Sequence, residues 1–146
     1  MDELLPTALD CLKKSAEMEA KKASEYKRAR EIAEAEKRDL LDRFARPSGV
    51  SDEERMKRAA VIINRAVSNG LTEVEVGRFP NQVSTDGGRA INQQEPGWEE
   101  TLTGLPRELH QFWKVHLGPR GYGLRCQIAD WPDGKPGDIS MTLVWG

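Results

Sequence analysis

Between Pro6 and Pro47 the chain contains no glycine and no proline. Alanine, glutamate, lysine and arginine dominate this run, and all of them favour helix. One continuous helix over residues 7–45 is therefore the expectation, and it limits every larger architecture to one that accommodates so long a rod. Pro6 and Thr7 stand where a helix begins, and Asp10 follows Thr7 by three, in the manner of a capping box. Acid-before-base pairs four apart support the helix locally: Asp10/Lys14, Glu17/Lys21, Glu34/Arg38, Asp39/Arg43 and Asp42/Arg46. Pro47 disfavours helix at the residue before it and ends the run.

The rod lacks a wide apolar face. A heptad frame puts Leu5, Leu12, Glu19, Tyr26, Ala33 and Leu40 at one seam position and Leu9, Ala16, Ala23, Arg30, Lys37 and Phe44 at the other. Three charges on that seam argue against a strong parallel zipper. The pattern fits a helix that docks at its ends, or a weak antiparallel pair in which alanines permit close approach. Leu5, Leu9, Leu12, Leu40 and Phe44 are the expected partner-binding residues, with a homodimer or a protein partner as the expected assembly. Residues 1–46 hold eleven acids and eleven bases, so this arm is neutral and its charges read as a solvated face.

Residues 47–50 read as a linker and 51–146 as an α+β domain. "SDEE" at 51–54 is a capping box, followed by a helical stripe of Met56, Ala59, Ala60, Ile63, Ala66 and Val67. Asn69-Gly70 ends that helix. Residues 72–79 alternate, with Val74 and Val76 inward and Glu73 and Glu75 outward, as in a half-buried strand. After Pro106 a second stripe runs through Leu109, Phe112, Trp113, His116 and Leu117. Two further alternating runs, Tyr122/Leu124/Cys126/Ile128 and Ile139/Met141/Leu143/Trp145, flank the proline- and glycine-rich 130–138 turn and form a hairpin. The fold class expected is α+β: a long N-terminal helix, then a small two-layer domain with a three-stranded, mainly antiparallel sheet and helices on one face. The last strand is expected in the centre, the 72–79 strand at an edge, and the opposite sheet face polar and partly open.

"RFPNQVSTDGGRAINQQEPGW" and "GYGLRCQIADWPDGKPGDISMTLVW" together resemble a family of short uncharacterised bacterial proteins with FPxxxxTDGGRAIN-like and PxGxPGDxS-like stretches. The resemblance covers the C-terminal half of the chain and implies no activity.

Chemistry is sparse. Gly87, Gly88 and Arg89 in "STDGGRAIN" have the makings of an anion-binding nest. The pattern is neither GxxxxGK[ST] nor GxGxxG, and a structural turn with Ile91 as a buried plug is the favoured reading. "GPRGYG" at 118–123 follows a helix C-terminus, where the dipole repels anions, and reads as a helix stop. His110 and His116, six apart, do not suit a shared metal, and His116 reads as a packing residue. Trp98 and Trp131 are loop tryptophans that lid the core or anchor a partner. Cys11 and Cys126 read as reduced thiols. No catalytic motif stands out, and no cofactor or metal is expected.

The net charge of −2 removes any global pull toward nucleic acid. No apolar run approaches the ~20 residues of a membrane span, and the N-terminus does not read as a secretory signal, so a cytoplasmic protein is expected. The function expected is a non-enzymatic interaction or assembly module that associates through its long helix. The alternative is nucleic-acid or small-anion binding on the open sheet face and the 80–105 loop, using Gly87, Gly88, Arg89, Arg78, Arg120 and Arg125.

Overall fold

The computed structural model describes residues 4–146. Helix α1 spans Ala8–Ala45, within one residue of the expected bounds at its start. The Thr7 hydroxyl accepts the Asp10 amide at 3.1 Å, which fixes that start. Leu5 falls before the helix, which begins after the Thr7 cap. None of the five acid–base pairs expected from spacing closes to 4.0 Å; Arg30 and Glu34, at 3.8 Å, do. Exposed pairs of this kind contribute only tenths of a kcal/mol, so side-chain entropy readily outweighs them.

The chain divides into two units, residues 1–40 and 41–146. The boundary lies inside α1, ten residues ahead of the expected Ser51. The second unit therefore includes the last turn of α1, where Leu41 and Phe44 pack on the domain core and Phe44 meets Phe79 edge-on, centroids 5.1 Å apart. Gly104 permits this approach: it adopts φ +59°, and a Cβ there would run into the Phe44 carbonyl. The expected 47–50 linker is also fastened, because the Ser48 amide and hydroxyl both donate to the Glu108 carboxylate.

In this second unit, α2 (Asp52–Ser68) starts at Ser51, whose hydroxyl accepts the Glu54 amide. Its inward face is Met56, Ala59, Ile63 and Ala66; Ala60 and Val67, placed on the stripe by the sequence, are exposed. Strand β1 (Glu73–Phe79) follows, then a long connection containing α3 (Arg89–Gln93) and two single 3₁₀ turns. Helix α4 (Gly104–Phe112) runs on into a π turn at Trp113–Leu117. Strands β2 (Gly123–Ile128) and β3 (Ile139–Val144) complete an antiparallel sheet of order β1-β3-β2, with the last strand central and β1 at an edge as expected.

The sheet's alternation decides which residues enter the core. Ile139, Met141 and Leu143 point to the helical layer, paired with Phe79, Gly77 and Val74 on one side and Ile128, Cys126 and Leu124 on the other. They belong to two apolar clusters. One gathers Phe79, Val83, Ile91, Leu102, Ile139 and Met141; the other gathers Phe112, Leu117 and Leu143. A bulge between Glu75 and Gly77 shifts the β1 register by one residue. Burial pushes the Cys126 thiol up to about 12, which makes it an inert core residue.

The far face of the sheet is polar but less open than expected. Ser140 and Thr142 on the central strand are buried there. Their small side chains lie under longer ones from the edge strands: Glu75 accepts a hydrogen bond from the Ser140 hydroxyl, and Arg125 reaches across the sheet to Glu73.

Candidate functional site

The five residues expected to bind a partner fall into two groups. Leu5, Leu9 and Leu12 are exposed, as is Leu4 beside them. Leu9 and Leu12 lie on one face of α1, which buries no residue along its length. Leu40 is half-buried, and Phe44 belongs to the core of the second unit. The unsatisfied apolar surface of the arm is thus concentrated at its N-terminal end, with Met18, Tyr26 and Ile32 exposed singly further along.

The glycine turn has its anion already. Asp86 accepts hydrogen bonds from the Gly88 amide (3.1 Å), the Ala90 amide (3.1 Å) and the Ser84 hydroxyl (2.8 Å). Burial raises its pKa, but these three donors and the Arg89 charge outweigh burial and hold the carboxyl below its ordinary value. Gly87 and Gly88 both have positive φ, and a Cβ on Gly88 would sit 2.9 Å from Ile128. Ile91 is buried in the first cluster, the plug that the sequence reading expected. Arg89 pairs with Glu95 at 2.6 Å and Asp86 at 3.9 Å.

The remaining arginines of the anion-binding reading do not converge with that turn. Arg78 binds Asp138 at 3.0 Å and Asp130 at 3.6 Å; the Asp138 hydrogen bond, with both charges, raises its basicity against desolvation. Arg125 is on the opposite edge strand, held by Glu73. Arg120 approaches the Met56 sulfur at 3.5 Å and has no carboxylate within 4.0 Å among the described residues.

A polar cleft that the sequence did not foreshadow lies between residues 48–55 and the outer side of α4. His116, carried on the π turn, places Nε2 3.1 Å from the Asp52 carboxylate at the start of α2. Beside it the Ser48 hydroxyl donates to Glu108 at 2.7 Å and accepts from Arg55 at 2.8 Å. A serine nucleophile needs its proton aimed at a base such as histidine. The Ser48 proton is committed to Glu108 instead, so these groups serve to tie the 47–52 segment to α4. Asp52 and His116 lie 64 residues apart, and no local spacing signals their contact.

His110 is buried between the rings of Trp98 and Trp113, centroids 5.6 and 5.5 Å away. Burial lowers its basicity; Glu99 opposes and Lys114 assists. Trp98 thereby caps the domain's own core, whereas Trp131 at the β2–β3 turn is exposed. Among the described residues no group of three His, Cys, Asp or Glu side chains is arranged to hold a metal, and no helix is long and apolar enough to cross a membrane. Comparisons with protein-family models, curated proteins and solved structures return no match.

Proposed function

We propose that this protein is a non-enzymatic association module of the cytoplasm, and that it pairs with a second copy of itself through the N-terminal half of α1. The observation that carries this reading is the exposure of Leu5 (76%), Leu9 (61%) and Leu12 (68%) within the first residues of an arm whose helix buries nothing. A leucine taken from water to full burial contributes about 1.5–3 kcal/mol. Three of them at one end of a long helix therefore hold a sizeable driving force that the single chain does not use. Ala16 and Ala23 continue the same seam and let a second helix approach closely, whereas Arg30 and Lys37 limit the contact to the N-terminal half. The arm's equal numbers of acids and bases oppose no self-pairing. The two thiols, Cys11 and Cys126, are unpaired, in keeping with a reducing compartment.

Light scattering of the full chain over a concentration series tests the reading. The expected result is a dimer at high micromolar concentration, reduced to a monomer by the triple substitution Leu5→Ser, Leu9→Ser, Leu12→Ser, with helix content and tryptophan fluorescence kept. A monomeric parent protein at that concentration refutes it.

A further inference from the structure

Leu9 and Leu12 are not alone on the seam of α1. Tyr26 lies on the same face and is 72% exposed, with Ala16, Glu19 and Ala23 between. The helix is unbroken over this stretch and buries none of it, so these side chains keep the spacing of a regular helix. The pairing proposed above, on which this inference rests, leaves two directions for the second copy. The charges on and beside the seam differ sharply between the two.

In a parallel pair each seam residue meets its own copy. Glu19 then faces Glu19 of the second copy in the seam itself. Lys22 faces Lys27 of the second copy on one flank, and symmetry repeats that clash on the other. Like charges so placed are destabilising, and the seam glutamates would lose water as well. An antiparallel copy removes all three encounters. With Ala16 level with Glu19 of the second copy, Leu12 meets Ala23 and Leu9 meets Tyr26, and the two-fold axis repeats each contact. Alanines let the backbones approach near the centre, and leucine on tyrosine closes each end. On the flanks Lys13 comes beside Ala20, and Ser15 beside Lys22. Glu19 is offset along the axis from Lys13 of the second copy by about 4.5 Å, close enough for the two to pair. Other registers are worse. Sliding by one heptad puts Glu19 against Leu9, or Arg30 against Leu12. Sliding by two leaves Tyr26 outside the contact, or puts Lys37 against Leu12.

We propose that the two arms pair antiparallel over residues 9–26, with the two-fold axis between Glu17 and Met18. Tyr26 is then a contact residue, packed on Leu9 of the second copy, and Arg30 and Lys37 stay in water. The C-terminal ends of the two α1 helices leave the contact in opposite directions.

Distances between spin labels, one per copy of the full chain, test the direction. In a Cys11→Ser background, Lys14→Cys and Arg28→Cys each put a label on the side of α1 away from the seam, while the Cys126 thiol is packed on the core and stays unlabelled. Light scattering of the same samples shows whether a dimer is present. The axial separation of the paired labels is expected to be about 10 Å at residue 14 and about 30 Å at residue 28. The measured distance should therefore be longer at residue 28 by about 10 Å or more. Equal distances at the two positions in a dimer would overturn the antiparallel order and leave the pairing itself standing. A longer distance at residue 14 than at residue 28 would overturn the register. A monomer would refute the pairing, and the direction with it. Tyr26→Ser is expected to weaken the dimer at least tenfold with helix content kept, and a dimer indifferent to that change would also overturn the register.

Discussion

Residues 4–40 and residues 41–146 both contain long helical stretches, but different forces hold them. In the arm, capping by Thr7 and the helix preference of each residue support α1 turn by turn, and no side chain is buried. In the second unit, helices as short as α3, five residues, persist because Ala90 and Ile91 are buried. An isolated helix of that length is unstable in water, so its order comes from tertiary burial together with the Asp86 carboxylate that accepts its first amides. A substitution in the arm is consequently a change to a surface, whereas the same change in the second unit opens a cavity.

The largest contrast is expected between two alanine substitutions. Ile91→Ala should cost about 2–5 kcal/mol in urea denaturation, because the plug sits in a full cluster with little freedom to collapse. Leu12→Ala should change stability by less than about 0.5 kcal/mol under dilute, monomeric conditions. All four tryptophans lie in the second unit, so their fluorescence reports on that unit. Similar losses for both variants would break the distinction between the regions.

Much of this division is legible in the sequence. The glycine- and proline-free run marks α1 almost to the residue, and alternation marks the three strands, though not their order in the sheet. The end of the arm is not legible. Phe44 looks like a seam residue, and only its contact with Phe79, 35 positions further on, shows that it belongs to the domain. For the same reason α2 is misjudged at Val67: helical spacing identifies a face, but the width of that face depends on what it meets. Of the candidate sites, the Asp86 turn follows from local chemistry, since an Asp before two glycines favours a turn. The bulge and the π turn have no short-range signal.

A second pair of substitutions sharpens the picture within the glycine turn. Gly88→Ala is expected to cost about 1–3 kcal/mol, because positive φ and a Cβ 2.9 Å from Ile128 add. Gly87→Ala has the first penalty without the second and should cost about 1 kcal/mol. Equal losses would show that backbone strain alone decides.

His110 and Asp86 give the second unit a pH dependence below neutrality. His110 has its folded value lowered from 6.5, so the unfolded chain binds the proton more tightly. Its contribution is complete above 6.5 and is lost as pH falls below that value toward the folded one. His110→Phe keeps a ring between Trp98 and Trp113 and should remove the part of the slope that sets in below pH 6.5. Asp86, lowered from 3.8, contributes above that value and loses its contribution as pH falls through the depressed one. Asp86→Ala should therefore cost about 1–3 kcal/mol at neutral pH and progressively less in acid. Denaturation midpoints read by tryptophan fluorescence across pH check both signs.

The smallest effect is expected at Arg89, the residue that most invites a functional reading. Its side chain is 58% exposed, and its partners Glu95 and Asp86 are themselves at or near the surface. Exposed ion pairs contribute about 0–1 kcal/mol, and Asp86 keeps its three other donors when the guanidinium is removed. Arg89→Ala should thus change stability by no more than about 0.5 kcal/mol, an arm-like response from a residue inside the second unit. A loss well above that would mean that the arginine, and not the Asp86 hydrogen bonds, holds the turn. Phosphate affinity present in the parent protein and absent in Arg89→Ala would carry the opposite lesson: an external anion would then compete with Asp86 for the Gly88 and Ala90 amides, and the turn would be a ligand site.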